Sequence, residues 1–215
     1  TLFGPELGVF VILIFHLLFD LFQKIDPRKF IRSSVVGLLF ILIILVLLWE
    51  CAGISLYGMF RIDPLATFMK GIFTFSGIAT LLMAQEFASK LGERTNDFCL
   101  IVLTAIFGSF FLASSNDLIT LFITIEWITI SLYILTTFLK NDLYSIEAGV
   151  KYLIVGAFSS ALFLYGISLV YGAVGSLFFA NIKQFLAEGT SPFFTVGFFL
   201  ILAGIGFKIA MFPFQ

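Results

Sequence analysis

The chain has 215 residues, 60% of them hydrophobic, 18% aromatic and only 12% charged, a balance too apolar for a soluble domain and indicative of a polytopic membrane protein. Thirty phenylalanines sharpen the point, because a soluble chain of this length has no core able to hide them beside its leucines and isoleucines. A formal net charge of -1 gives no basic surface for nucleic acid, so the charges matter by position rather than by total.

Apolar windows predict an all-α bundle of seven transmembrane helices and no sheet, over 7–22, 35–54, 65–84, 98–114, 118–139, 150–174 and 193–212. The first run has no basic region before it and no small-residue cleavage site after it, so it reads as a span rather than a removed signal peptide. His16 and Asp20, four apart, are expected to interact locally or to lie near the inner interface. Glu50 falls near the end of the second span and reads as an interfacial carboxylate. Asp63-Pro64 opens the third span, with proline tolerated in the first turn, and carries Lys70 about 9 Å in, where it either snorkels to the surface or serves transport. The fourth and fifth spans are joined by little more than Asn116 and Asp117 and must be antiparallel neighbours.

In the fifth span, LITLFITIEWITISLYILTTFL, Glu126 lies roughly 12 Å into a hydrocarbon layer about 30 Å thick. A carboxylate there costs at least about 2.5 kcal/mol and should face protein or water, or pair with a cation. The best partner is Lys208 in AGIGFKIAMFP. Counted from residue 193, Lys208 lies roughly 22 Å deep, some 10 Å beyond Glu126, so direct pairing requires the seventh helix to begin outside the hydrocarbon, or water between the groups. Gly204 and Gly197, on the lysine's own face, let a neighbouring helix or water approach it. Pro213 predicts a helix break just past the lysine, as in transporters whose broken helices line polar cavities. The sixth span opens with Glu147 and Lys151, spaced for an i,i+4 ion pair, followed by Gly156, Ser159 and Ser160, which mark a packing face.

Lysine and arginine set the orientation. Lys24, Arg28, Lys29, Arg32, Lys90, Arg94 and Lys140 fall on one side of seven alternating crossings, against Arg61 and Lys183 on the other, so the N-terminus starts outside. Cys51 and Cys99 lie in separate apolar stretches and form neither a disulfide framework nor a metal or iron-sulfur ligand set. The chain begins without methionine and stops directly after an apolar segment, and it reads as a fragment. No phosphate loop, HExxH, nucleophile elbow or dinucleotide fingerprint is present.

The stretches SSNDLITLFITIEWITISLYIL, EAGVKYLIVGAFSSALFLYGISLVYGAVGS and GIGFKIAMFPF resemble, in order and spacing, the antiporter-like membrane-arm subunits of NADH:quinone oxidoreductase, respiratory complex I, above all the type called N in bacteria and 2 in mitochondria. The resemblance is strongest from about residue 98 to 214. It implies the N-terminal half of such a subunit, with three helices over 1–97 and an incomplete antiporter-like repeat over 98–215. It further implies that Glu126 and Lys208 form the charge pair of a half-channel and that Lys151 is the sixth-span lysine of the path. Lys70 and Glu147, read from their own places in the chain, are secondary candidates. Gln215 stands where family members usually carry a histidine. Flavin, iron-sulfur clusters and quinone are expected in partner subunits, with no cofactor in this chain; the other membrane-arm subunits and the lipid of a bacterial plasma membrane or mitochondrial inner membrane are the expected surroundings.

The resulting expectation is a non-redox, proton-translocating subunit. Alternatives are a sodium/proton antiporter or membrane-bound hydrogenase subunit, which share the charged helices, and a scaffold in which Glu126 and Lys208 form a static pair.

Overall fold

The computed structural model describes residues 3–22 and 26–212, the side chains of 88–91 and 93 excepted. Eight α-helices run through these residues: α1 (Gly4–Phe22), α2 (Pro27–Leu47), α3 (Pro64–Leu91), α4 (Thr95–Ser114), α5 (Leu118–Thr136), α6 (Leu143–Val174), α7 (Phe179–Glu188) and α8 (Pro192–Lys208). Six are long and apolar enough to cross a membrane, and α8, of 17 residues, is a shorter apolar helix. The all-α membrane bundle is therefore observed.

Three local expectations are corrected. The second span begins at Pro27, where the Asp26 side chain accepts from the Arg28 backbone N–H and proline occupies the first turn, so the helix carries its cationic residues outward before it enters the apolar layer. Started early, it ends early, at Leu47. The chain then forms a two-stranded antiparallel hairpin, β1 (Gly53–Ser55) and β2 (Phe60–Ile62), where no sheet was expected. Its turn places Leu56, Tyr57 and Gly58 at positive φ. Third, α7 is a short amphipathic helix that no apolar window could reveal; Ile182 and Phe185 pack inward, and Phe185 meets Phe194 of α8 at 5.5 Å between ring centroids.

The two ends of the bundle are sorted by hydrogen bonds. At one end Asn96 Nδ2 donates to Asp20 Oδ1 at 2.6 Å, bringing the start of α4 to the end of α1. At the other, Asn116 and Asp117 lace three connections together. The Asn116 backbone N–H donates to Met59 O and its side chain to Gly58 O, Phe179 N–H donates to Asn116 O, and Leu118 N–H donates to Leu177 O. Asp117 caps α5, accepting from Ile119 N–H, Thr120 N–H and the Thr120 hydroxyl. Arg28, Lys29, Arg32, Arg94 and Lys140 thus share one end, opposite Arg61 and Lys183, as the topology requires; Lys24 and the side chain of Lys90 lie outside the described residues. By the positive-inside rule the cationic end is the inner one.

Two buried clusters fill the molecule. One packs α1, α2, α3 and α4 around Val9, Phe30, Leu38, Leu81, Leu103 and Phe110, and the other packs α5, α6 and α8 around Phe163, Ile167, Val170 and Ile201. Between α4 and α5 the antiparallel packing is close, with Trp127 Nε1 donating to Thr104 O and the indole filling the space that a Cβ on Gly108 would take.

Candidate functional site

Close packing of α6 against α8 builds the site. A Cβ on Gly166 would lie 2.7 Å from Gly197 O, and one on Gly204 would lie 2.7 Å from Phe163 Cβ and 2.9 Å from Ser159 O. Only hydrogen at these positions allows the two backbones so near, which bears out the expected glycine and serine packing faces. Gly204 therefore sits level with Ser159 and Phe163.

Lys208, one turn further along α8, is the last helical residue. Ala210 takes φ 50, its N–H donates to Phe207 O, and Met211 N–H donates to Gly206 O at 2.8 Å, a Schellman ending. The break expected beyond the lysine comes immediately after it, in a capping motif; Pro213 and Gln215 lie outside the described residues.

The ammonium reaches back toward the N-terminus of its helix, as helical side chains lean. Lys208 Nζ donates to Glu126 Oε1 at 2.6 Å, to Ser160 Oγ at 3.0 Å and to Thr129 Oγ1 at 3.4 Å. Ser160 Oγ lies 2.7 Å from Glu126 Oε1 and 2.9 Å from Gly156 O, and can donate to either. The pair therefore forms directly, with the lysine stem reaching back over part of the depth difference. Its side chains are 8% and 23% exposed, so it is a charge-assisted pair held largely away from solvent.

Beside the pair, between α5 and α6, an open groove of about 540 Å³ runs from Glu126 and Ser160 past Tyr133 to Thr137 and Gly149 at the inner end, with the exposed Ile130, Ile134, Val150 and Leu153 also lining it. Tyr133 packs edge-on against Tyr152, and its buried hydroxyl has no hydrogen-bond partner among the described residues. Lying seven residues after Glu126, it shares that residue's helix face, a spacing that could have revealed it in the sequence. Ser160 and Thr129 were legible only as small or mid-span polar residues.

Lys151 is placed elsewhere. It pairs with Glu147 at 2.5 Å, as spaced, with both side chains largely exposed. Nine residues separate it from Ser160, roughly half a turn out of phase at 3.6 residues per turn, so it looks away from Glu126. Lys70 does not snorkel: it is 1% exposed and donates to Glu6 Oε1 at 2.5 Å, a partner the sequence reading missed. His16 and Asp20 do not pair; His16 bonds to Ser33 Oγ and Ile12 O, and Asp20 to Asn96.

Residues 115–215 match the family model described as NADH:quinone oxidoreductase/Mrp antiporter, transmembrane. Over the whole chain the sequence is 34% identical to NADH-quinone oxidoreductase subunit N of Desulforamulus reducens, of which it covers 46%. Over 98% of the chain it is 37% identical to NAD(P)H-quinone oxidoreductase subunit 2 of Crocosphaera subtropica, of which it covers 42%. Among solved structures, a chain of respiratory complex I from Thermus thermophilus with bound aureothin superposes on 98% of this chain and 45% of its own length, with a TM-score of 0.82 at 28% identity. A chain of the Mrp complex from Dietzia shares the fold, with a TM-score of 0.76 at 18% identity, over 98% of this chain and 41% of its own. The chain spans less than half the length of these relatives, and the resemblance carried by its motifs is borne out.

Proposed function

We infer that this chain, whose residues 115–215 belong to the NADH:quinone oxidoreductase/Mrp antiporter transmembrane family, is part of a proton-translocating membrane-arm subunit of NADH:quinone oxidoreductase. The observation that carries the reading is the buried Lys208–Glu126 pair, braced by Ser160 at the end of a terminated helix and bordered by a groove leading to the inner end. Burial opposes both charges, while mutual attraction supports them, so the state of the pair depends on separation and on neighbouring charge. A competing charge that draws Glu126 away leaves the ammonium desolvated and able to release its proton. No metal or covalent chemistry is involved in that step.

Tyr133 and Thr137 are the polar side chains along the groove between Glu126 and the inner surface, and water held by them would connect the pair to that side. Lys151 is the next station on the path, reached through helices this chain does not contain, since it faces away from Ser160; Glu147 holds it in place. NADH oxidation and quinone reduction take place in partner subunits, which carry the flavin, iron-sulfur clusters and quinone, and this chain contributes no redox centre. Relatives at 34–37% identity carry quinone oxidoreductase names, which favours this reading over a sodium/proton antiporter or a hydrogenase subunit.

The test uses the complete subunit in its complex. Glu126→Gln and Lys208→Ala should each assemble and oxidise NADH through the flavin, while quinone-coupled proton pumping falls. Failure of both variants to assemble would favour a scaffold, because removing one partner of a buried pair leaves an orphan charge.

A further inference from the structure

The α1–α4 core holds a second ion pair that the proton path above does not use. Glu6 and Lys70 have side chains 2% and 1% exposed, and Lys70 Nζ donates to Glu6 Oε1 at 2.5 Å. Burial so complete normally demands full satisfaction of every polar atom. Here it is incomplete. Among the described residues, Glu6 Oε2 is buried with no hydrogen-bond partner, and two of the three ammonium hydrogens of Lys70 have no acceptor.

The space for the missing partners is present. Lys70 lines a cavity of about 80 Å³, together with Pro5, Leu45, Leu48, Cys51 and Thr67. That is room for several waters, since one needs only about 10–15 Å³ of such space together with polar partners. Glu6 lines a separate groove of about 270 Å³ on the other side, among Phe3, Phe10, Phe107 and Phe111. The ion pair is the wall between the two. Cys51 is exposed and also lines the smaller cavity, so that cavity opens at the outer end of the bundle.

Other charges are sparse here. The outer half of α4 contributes no charged group, α2 none after Arg32, with the exposed Glu50 beyond its end, and the hairpin region only Arg61 and the half-buried Asp63, 3.6 Å apart, beside the cavity-lining Ile62. Among the described residues, Glu6 and Lys70 form an ion pair only with each other.

We propose that Glu6 and Lys70 form a hydrated proton-exchange site, separate from Glu126 and Lys208, that communicates with the outer aqueous phase through the Cys51 cavity. Water in that cavity completes the hydrogen bonding of the ammonium and delivers protons to and from the pair when outer pH changes. Because the site belongs to α1 and α3, its operation does not depend on proton movement at Glu126.

Infrared difference spectroscopy of the complete complex in right-side-out vesicles tests this directly. Stepwise acidification of the outer medium should produce a protonated-carboxyl absorption that is missing in Glu6→Gln; should that variant not assemble, Glu6→Asp shifts the same band and assigns it. Labelling Cys51 from outside with a membrane-impermeant thiol reagent should slow the appearance of the band by an order of magnitude. Cys51→Ser should be insensitive to the reagent. The proposal is overturned if no band depends on residue 6 at any pH at which the complex stays assembled. It is equally overturned if the band appears at the same rate with Cys51 labelled.

Discussion

Replacing Gly204 by alanine tests whether α6–α8 packing sets the geometry of the charge pair. The added Cβ would fall 2.7 Å from Phe163 Cβ and 2.9 Å from Ser159 O, against 3.4 Å for ordinary contact, so the helices must part by roughly 0.5–0.7 Å. One neighbour is backbone, which cannot swing aside. Overpacking of this kind costs about 1–3 kcal/mol. The same displacement, passed one turn along α8, stretches the 3.0 Å bond from Lys208 Nζ to Ser160 Oγ beyond the hydrogen-bonding limit, while the flexible lysine stem can still follow Glu126. The expected variant assembles, melts earlier and pumps fewer protons per NADH oxidised. A variant with unchanged melting and unchanged pumping would refute the argument that glycine is required for the approach.

Removing the α5 cap by Asp117→Ala leaves Ile119 N–H and Thr120 N–H without their acceptor and should destabilise the subunit by about 1–2 kcal/mol, read as lower thermal stability, with Asp117→Asn milder. Ala210→Gly should act in the opposite direction, raising stability by about 1 kcal/mol, because alanine at φ 50 carries a left-handed penalty that glycine lacks. Tyr133→Phe deletes a buried hydroxyl without a protein partner, so melting should hardly change, whereas pumping should slow if that hydroxyl binds water beside Glu126. Lys151→Met removes an exposed i,i+4 pair worth about 0.3–0.5 kcal/mol, so a loss of pumping at unchanged stability would mark a transport role rather than a structural one.

Hydropathy made the membrane helices legible because an apolar run of that length has few other uses. It could not resolve residues 48–62, where the apolar run continues through Trp49 and Ile54 after the helix has ended and the chain has turned into a hairpin. Nor could it find α7, ten residues whose apolar side is only one stripe. Glu126 and Lys208 stood out as lone charges deep in their spans, and their pairing followed from opposite charge in spite of the mismatch in depth. The contact with Ser160 did not, because it depends on how closely α6 approaches α8 and on the direction of the lysine stem. Glu6 was missed because it sits one residue before the first apolar window. Lys70 was visible, but its burial depends on α1 covering it. For Lys151 the nine-residue spacing from Ser160 already contained the answer: on a helix it puts the two on opposite faces.

A double-mutant cycle on proton pumping tests the central claim, that Glu126 and Lys208 act as one unit, most directly. Protons translocated per NADH oxidised would be measured in the complete complex for Glu126→Gln, Lys208→Ala and the double variant, each with its flavin-level NADH oxidation intact. The account predicts that the double variant loses no more pumping than the worse single variant, since either change disables the same pair. Pumping at the normal level in both single variants, or losses that multiply in the double, would contradict it.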